Sequence, residues 1–184
     1  MIQTENTPNP NTLKFLPGKK VSDAGPVEFL KNQKNIKVPL ASKILSLEGI
    51  TMVFFGEDFI TVKKDNNSKW DDLKHYIISE INDHYLQGKR IVIEKNLKKI
   101  NENSEKNKSN DIVDKIKEIL DSKIRPAVAR DGGDIIFDSF KDGIVKVQLK
   151  GSCSGCPSSI MTLKQGVQNL LCHYVPEVKR VEAS

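Results

Sequence analysis

The residues of this chain best placed to do chemistry are two cysteines in Gly151-Ser152-Cys153-Ser154-Gly155-Cys156-Pro157-Ser158-Ser159. Upstream, Ile144, Val145, Val147 and Leu149 interleave with Lys146, Gln148 and Lys150, which predicts a strand with one buried face. Downstream, Pro157 suits the first turn of a helix, and Ile160, Leu163, Val167, Leu170, Leu171 and Tyr174 fall on one helical face. Both sulfurs are thus expected near a helix N-terminus, where unpaired amides and the positive end of the dipole stabilise anions and lower a thiol's pKa. A pair of thiolates in such a place is suited to holding a soft metal.

The elements that position this pair follow from the same patterns. Asp111 is expected to cap a helix whose apolar face is Ile112, Val113, Ile116, Ile119, Leu120 and Ile124, with Pro126 kinking its last turns. Asp131-Gly132-Gly133-Asp134 ends that helix. A hairpin follows, Ile135 to Phe140 and Ile144 to Lys150 around a Lys141-Asp142-Gly143 turn, and Val178 to Val181 adds an edge strand after the second helix. The predicted order is α-β-β-α-β.

The N-terminal part predicts a core of its own. Thr12 to Leu16 reads as a strand after the Pro8-Asn9-Pro10-Asn11 turn cluster, and Val38 to Leu47 as a helix. Ile50 to Phe55 and Phe59 to Val62 read as strands around Gly56-Glu57-Asp58, and Trp70 to Leu86 as a helix capped by Ser68. His75 and His84 are nine residues apart in that helix, too far to share a metal on one face, and are expected in surface or cap roles. Between the two parts, residues 94–110 read EKNLKKINENSEKNKSN, too polar to offset the entropy of ordering, which predicts a flexible linker. The expected fold class is α+β: two small α+β domains, residues 1–93 and 111–184, joined by the polar linker 94–110.

Composition excludes several functions. The formal net charge is +5, yet residues 1–90, 91–110 and 111–184 carry only +2, +2 and +1, so no basic stripe is concentrated enough to bind nucleic acid. The opening Met1-Ile2-Gln3-Thr4-Glu5-Asn6 has neither the basic nor the apolar region of a secretory signal, and no apolar run approaches membrane-spanning length. The expectation is a soluble intracellular protein with no nucleic-acid or membrane partner. Three cysteines do not make a disulfide framework, so a reducing compartment with metal or redox use is expected.

A Cys-x-x-Cys alone is shared by thiol-disulfide oxidoreductases, zinc sites and iron-sulfur sites. Ligand number narrows the choice, since a structural zinc or a cubane cluster wants four protein ligands. Cys172 lies sixteen residues beyond Cys156 on the same predicted helix, about 24 Å away at 1.5 Å per residue, and reads as a partly buried, inert thiol. Two chains meeting about a two-fold axis would bring together four thiolates. A 4Fe-4S cluster shared between two subunits in this way would lie near the surface and be readily handed on.

At these residues the chain resembles a known family. Residues 111–184 are similar to the C-terminal domain of NifU, the Nfu-type iron-sulfur scaffold domain, through Ile124-Arg125-Pro126, Asp131-Gly132-Gly133-Asp134 and the Gly151 to Ser159 segment. Residues 1 to about 90 resemble the companion Nfu N-terminal domain, beginning with Thr4-Glu5-Asn6-Thr7-Pro8-Asn9-Pro10-Asn11-Thr12-Leu13-Lys14-Phe15. The resemblance implies a scaffold or carrier, not an enzyme, with Cys153 and Cys156 as metal ligands. It also implies a homodimer in the cluster-bound state, an upstream iron-sulfur scaffold as donor, and recipient apoproteins. The alternative from the residues is a thiol-disulfide oxidoreductase using the same pair; a zinc-bridged structural dimer is a further one. Bacterial cytoplasm is the expected location, with the mitochondrial matrix, as a processed form, the alternative.

Overall fold

The computed structural model describes residues 1–89, 91, 110–152, 154 and 157–184. The chain divides into two compact units, Met1–Lys95 and Asn96–Ser184, each α+β with its own sheet and core. Of the linker expected over 94–110, residues 94–109 lie outside the described residues, and Asn110 opens a helix.

The first unit is a five-stranded antiparallel sheet in the order β1-β2-β5-β4-β3. Its strands are β1 (Gln3–Asn6), β2 (Thr12–Leu16), β3 (Val27–Leu30), β4 (Ile50–Phe55) and β5 (Ile60–Lys64). Two helices, α1 (Pro39–Ser46) and α2 (Trp70–Leu86), pack Leu40, Ile44, Leu73, Ile77 and Ile81 against Leu13, Phe15, Val53, Phe55, Ile60 and Val62. The edge strands β1 and β3 were not predicted. Both are four residues long; β1 is polar and mostly exposed, and in β3 only Val27 and Phe29 reach the core, too few for an alternation to stand out in the sequence.

Two other differences have local causes. Strand β5 starts at Ile60 rather than Phe59, because the Gly56 amide donates to Phe59 O at 2.9 Å and the Phe59 ring folds back onto Gly56, where a Cβ would meet it at 2.3 Å. Ser68 does not cap α2. The cap position is Lys69, and the Ser68 and Asn67 amides instead donate to Asp65 Oδ1 at 2.8 and 3.0 Å. Hydrogen bonds from Ser68 hold the Asp65 carboxyl below the usual carboxylate range. The Pro8 to Asn11 turn is pinned to this corner: Trp70 Nε1 donates to Pro10 O at 3.1 Å, and the buried Lys64 ammonium to Asn11 Oδ1 at 3.2 Å. His75 is exposed as expected, but His84 is buried, with its ring edge-on to Tyr85.

The second unit follows the order α-β-β-α-β. Its elements are α3 (Asn110–Ile119), a π-helical turn (Leu120–Ile124), α4 (Arg125–Arg130), β6 (Gly133–Lys141), β7 (Ile144–Gly151), α5 (Pro157–Tyr174) and β8 (Arg180–Ala183). The sheet order is β6-β7-β8, antiparallel then parallel. Ile116, Leu120, Ile124 and Val128, spaced by four, line the core with Ile135, Val145, Val147, Leu149, Val167, Leu171 and Val181.

Asp111 lies within the first turn of α3 rather than capping it. The kink expected at Pro126 takes the form of the π turn. Proline has no amide to donate and its ring would clash with the carbonyl four residues back, so the ladder widens there and the Arg125 amide reaches Leu120 O. Gly132 supplies the positive φ, 78°, that ends α4, and Asp142 and Gly143, at 52° and 78°, form the two-residue hairpin turn. Tyr174, expected on the buried face of α5, is 48% exposed; Val175 and Val178 fill the core instead, which delays β8 to Arg180.

Arg125 is placed by the π turn to grip the start of β6. Its Nε and Nη2 donate to Asp134 Oδ1 and Oδ2 at 2.9 and 3.0 Å, while Nη1 reaches Asp121 at 3.0 Å. The Asp134 side chain is only 6% exposed. Removing the guanidinium would strand a buried carboxylate, which costs about 3 kcal/mol. R125A is therefore expected to speed amide exchange in β6 and β7 while leaving the fluorescence unfolding curve of Trp70, the single tryptophan and part of the first unit, unchanged. Unchanged exchange in β6 would show that the ion pair does not hold the second unit together.

Candidate functional site

Two segments some twenty residues apart along the chain meet where α4 ends and β6 begins, the corner at 131–134 and the end of β7 at 151–152. The Asp131 and Gly132 amides close the helix end onto Val128 O and Ala129 O at 3.1 and 3.0 Å. Gly133 pairs with Gly151 as the last rung of the β6-β7 ladder. Gly151 has φ 69°, a left-handed conformation that turns the chain off the sheet immediately before the cysteine segment.

The turn is then fastened on both sides. Ser152 is 2% exposed; its amide donates to Gly132 O at 3.2 Å and its hydroxyl to Asp131 O. Ser154 donates to Gly151 O twice, from its amide at 3.2 Å and its hydroxyl at 2.9 Å. The residues on either side of position 153 are thus each tied to backbone carbonyls at the end of the sheet. Arg125 and Asp134 brace that corner from behind, and their mutual hydrogen bonds drive the Arg125 pKa up, so the guanidinium stays charged at any pH at which the protein folds.

Cys153, Gly155 and Cys156 lie outside the described residues. What surrounds them is described: α5 begins at Pro157, as the sequence predicts, and has no acidic residue in its first turn. The positive end of the dipole is therefore not offset by an acidic side chain of the helix's own first turn. That is an environment in which thiolates, and an anionic thiolate-bound group, are stabilised.

The third cysteine belongs to a different part of the fold. Cys172 lies in the last turn of α5, half-buried against the core, with Sγ donating to Val178 O at 3.2 Å. His173, beside it, stacks edge-on against Tyr174. Among the described residues no three His, Cys, Asp or Glu side chains form a metal-binding group, and no helix is long and apolar enough to cross a membrane.

Sequence reading found the Arg-Pro and Asp-Gly-Gly-Asp segments but not the interactions joining them. The signal was there in the pairing of a charged residue beside a proline with an aspartate nine residues later. Ser152 gave no signal, because its partner carbonyl is 21 residues away and any residue type supplies a carbonyl.

Both units match described protein families. Residues 2–88 match the N-terminal domain of scaffold protein Nfu/NifU, and residues 116–182 match the NifU-like domain. The human protein "NFU1 iron-sulfur cluster scaffold homolog, mitochondrial" is 46% identical over 182 residues, covering 98% of this chain and 70% of the human one. "NifU-like protein 4, mitochondrial" of Arabidopsis thaliana is 44% identical over 183 residues, with 98% of this chain and 65% of that protein covered. Among solved structures, a NifU-like protein from Saccharomyces cerevisiae aligns with half of this chain and 82% of its own at 28% identity and a TM-score of 0.46. With both of its units matched and near-complete alignment to scaffold proteins at this identity, the chain belongs to the Nfu/NifU family of iron-sulfur cluster scaffold proteins.

Proposed function

We propose that this protein is an iron-sulfur cluster carrier that holds a 4Fe-4S cluster between two copies of the chain, through Cys153 and Cys156 of each, and delivers it to apoproteins. The observation that carries the reading is the fastened turn: Ser152 and Ser154 are tied to the sheet end on either side of Cys153, immediately before a helix N-terminus free of acidic residues. Thiolates beside such a helix start have their charge stabilised by the helix dipole. The role is binding and release; no bond in a small-molecule substrate is made or broken.

Two thiolates per chain leave a cluster half-ligated, so a second copy completes the set. Met161, one turn into α5, five residues after Cys156 and 74% exposed, offers that copy an apolar contact. Cores built from aliphatic side chains in both units mean that the cluster is cargo rather than a folding element. An upstream scaffold supplies the cluster and recipient apoproteins take it. The relatives' mitochondrial names favour the mitochondrial matrix over a bacterial cytoplasm, and fractionation of the source cells decides between them. We also propose the division into domains 1–93 and 111–184 with 94–110 between them, the first domain recruiting recipients while the second docks.

Anaerobic reconstitution with iron and sulfide should give no stable cluster in C153A or C156A and an almost normal one in C172A. Loss of the cluster in C172A would overturn the ligand assignment. A redox-active disulfide without iron would favour the oxidoreductase instead, and zinc in place of iron the structural dimer.

Iron counting combined with sedimentation should show one 4Fe-4S cluster per two chains, and M161D should lower the fraction of cluster-bridged dimer without lowering the thermal midpoint. A full cluster on a monomer, with no small-molecule thiol present, would defeat the bridged arrangement.

Transfer should outpace supply of equal free iron and sulfide to an apo 4Fe-4S enzyme, and should persist with a chelator that traps released iron. Activation abolished by chelator would reduce the protein to an iron reservoir. A chain lacking residues 1–93, checked for fold by circular dichroism, should still assemble cluster but deliver it more slowly; equal delivery to every recipient would remove the recruiting role of the first domain.

A further inference from the structure

We infer that Ser152 is a positioning residue for cluster handling: its hydroxyl, bonded to Asp131 O, holds the chain at the residue that precedes Cys153, and so sets how fast the cluster is released. The inference rests on Cys153 and Cys156 being the ligand pair. Its basis is where this one side chain sits. Ser152 is buried to 2% exposure, adjoins the cysteine, and reaches across to the carbonyl at the end of α4, while its own amide binds the next carbonyl, Gly132 O, at 3.2 Å.

The geometry makes the hydroxyl a local clamp rather than part of the core. Neither apolar cluster includes Ser152, and the β6-β7 ladder ends one residue earlier, at Gly151. Beyond that rung the chain is held by the Ser152 amide on Gly132 O and by the Ser152 hydroxyl on Asp131 O, the second of which depends on the side chain. The far end of the clamp is itself immobilised, because Asp131 is the C-cap of α4 and its neighbour Asp134 is gripped by Arg125. Ser154, bonded back to Gly151 O, tightens the same turn from the other side of Cys153.

A ligand held by a fixed backbone loses little freedom on binding metal, whereas a ligand on a loose backbone must be ordered at that moment. Loss of the hydroxyl should therefore favour release over retention. Since one hydrogen bond is at stake, the expected change is modest, roughly fivefold to tenfold in rate.

The test compares S152A with the unaltered full-length chain. Hydrogen exchange in the metal-free protein should quicken in peptides covering 150–156 and remain unchanged in α3 and in residues 144–149 of β7, with the thermal midpoint nearly unaltered. In the reconstituted protein, bleaching of the cluster absorption by a chelator should accelerate several-fold. Because alanine removes an acceptor's partner in a buried place, S152T and S152V form a second pair of equal shape in which only threonine keeps the hydroxyl; S152T should release cluster more slowly than S152V. Equal exchange at 150–156 in S152A, or equal release from S152T and S152V, would overturn the inference, as would loosening that spreads equally through the second unit. If the unaltered chain takes up no cluster, the ligand reading fails, and the exchange experiment still reports whether Ser152 fixes the turn.

Discussion

The ion pair between Arg125 and Asp134 is the constraint from which the geometry of the second unit's functional end follows. A bidentate guanidinium-carboxylate contact fixes both distance and plane, so it ties the first turn of α4 to the first residues of β6 more tightly than apolar packing would. It exists because of the π turn. One extra residue between α3 and α4 both accommodates Pro126 and rotates Arg125 to the strand, where a continuous α-helix would set it elsewhere on the surface. Its contribution is in orientation more than in energy, since a buried pair regains little beyond its desolvation cost. The second carboxylate on Arg125, Asp121, is 63% exposed and adds little.

From that pair the structure reads outward in short steps. Asp134 fixes β6, β6 with α4 fixes the Asp131-Gly132 corner, and the corner provides two carbonyls that receive Ser152. Each step uses backbone groups that would otherwise be left without partners where a helix ends and a ladder runs out. The unsatisfied ends of two regular elements thus become the mount for the irregular turn between β7 and α5.

How far the sequence disclosed this depends on the range of each interaction. Strands β2, β4 and β7 and helices α1, α2 and α5 lie within a residue of their predicted places, because burial of one face imprints a period on neighbouring residues. Strands β1 and β3 carry no such imprint. Gln3 to Asn6 is an edge strand that pairs through its backbone while its side chains stay in solvent, so composition gives no sign of it. The N-cap of α2 differs for a related reason: Ser68 is a good cap by type, but Asp65, three residues earlier, takes both its hydroxyl and its amide, and the cap position falls at Lys69. The Cys-x-x-Cys spacing and the proline after it are the sequence features on which the proposed chemistry of the site rests. The clamp on it was not legible, because a serine hydroxyl meeting a main-chain carbonyl 21 residues away leaves no mark on either residue's neighbours.

A carrier faces two demands that appear opposed, an ordered site for loading and easy surrender of the cargo. In the arrangement proposed for this protein they are met by different parts. Order comes from protein hydrogen bonds that persist whether or not metal is present: Ser152 to the end of α4, Ser154 to Gly151, Arg125 to Asp134. Ease of surrender comes from ligand number, because each chain supplies only two thiolates and half of the coordination belongs to a partner. An incoming thiolate from a recipient then competes with a departing subunit, not with a folded cage. Stiffening the turn lowers the ordering cost of loading without adding a ligand that would have to be broken on delivery, so a firm loop and a loosely held cluster are compatible properties of one site.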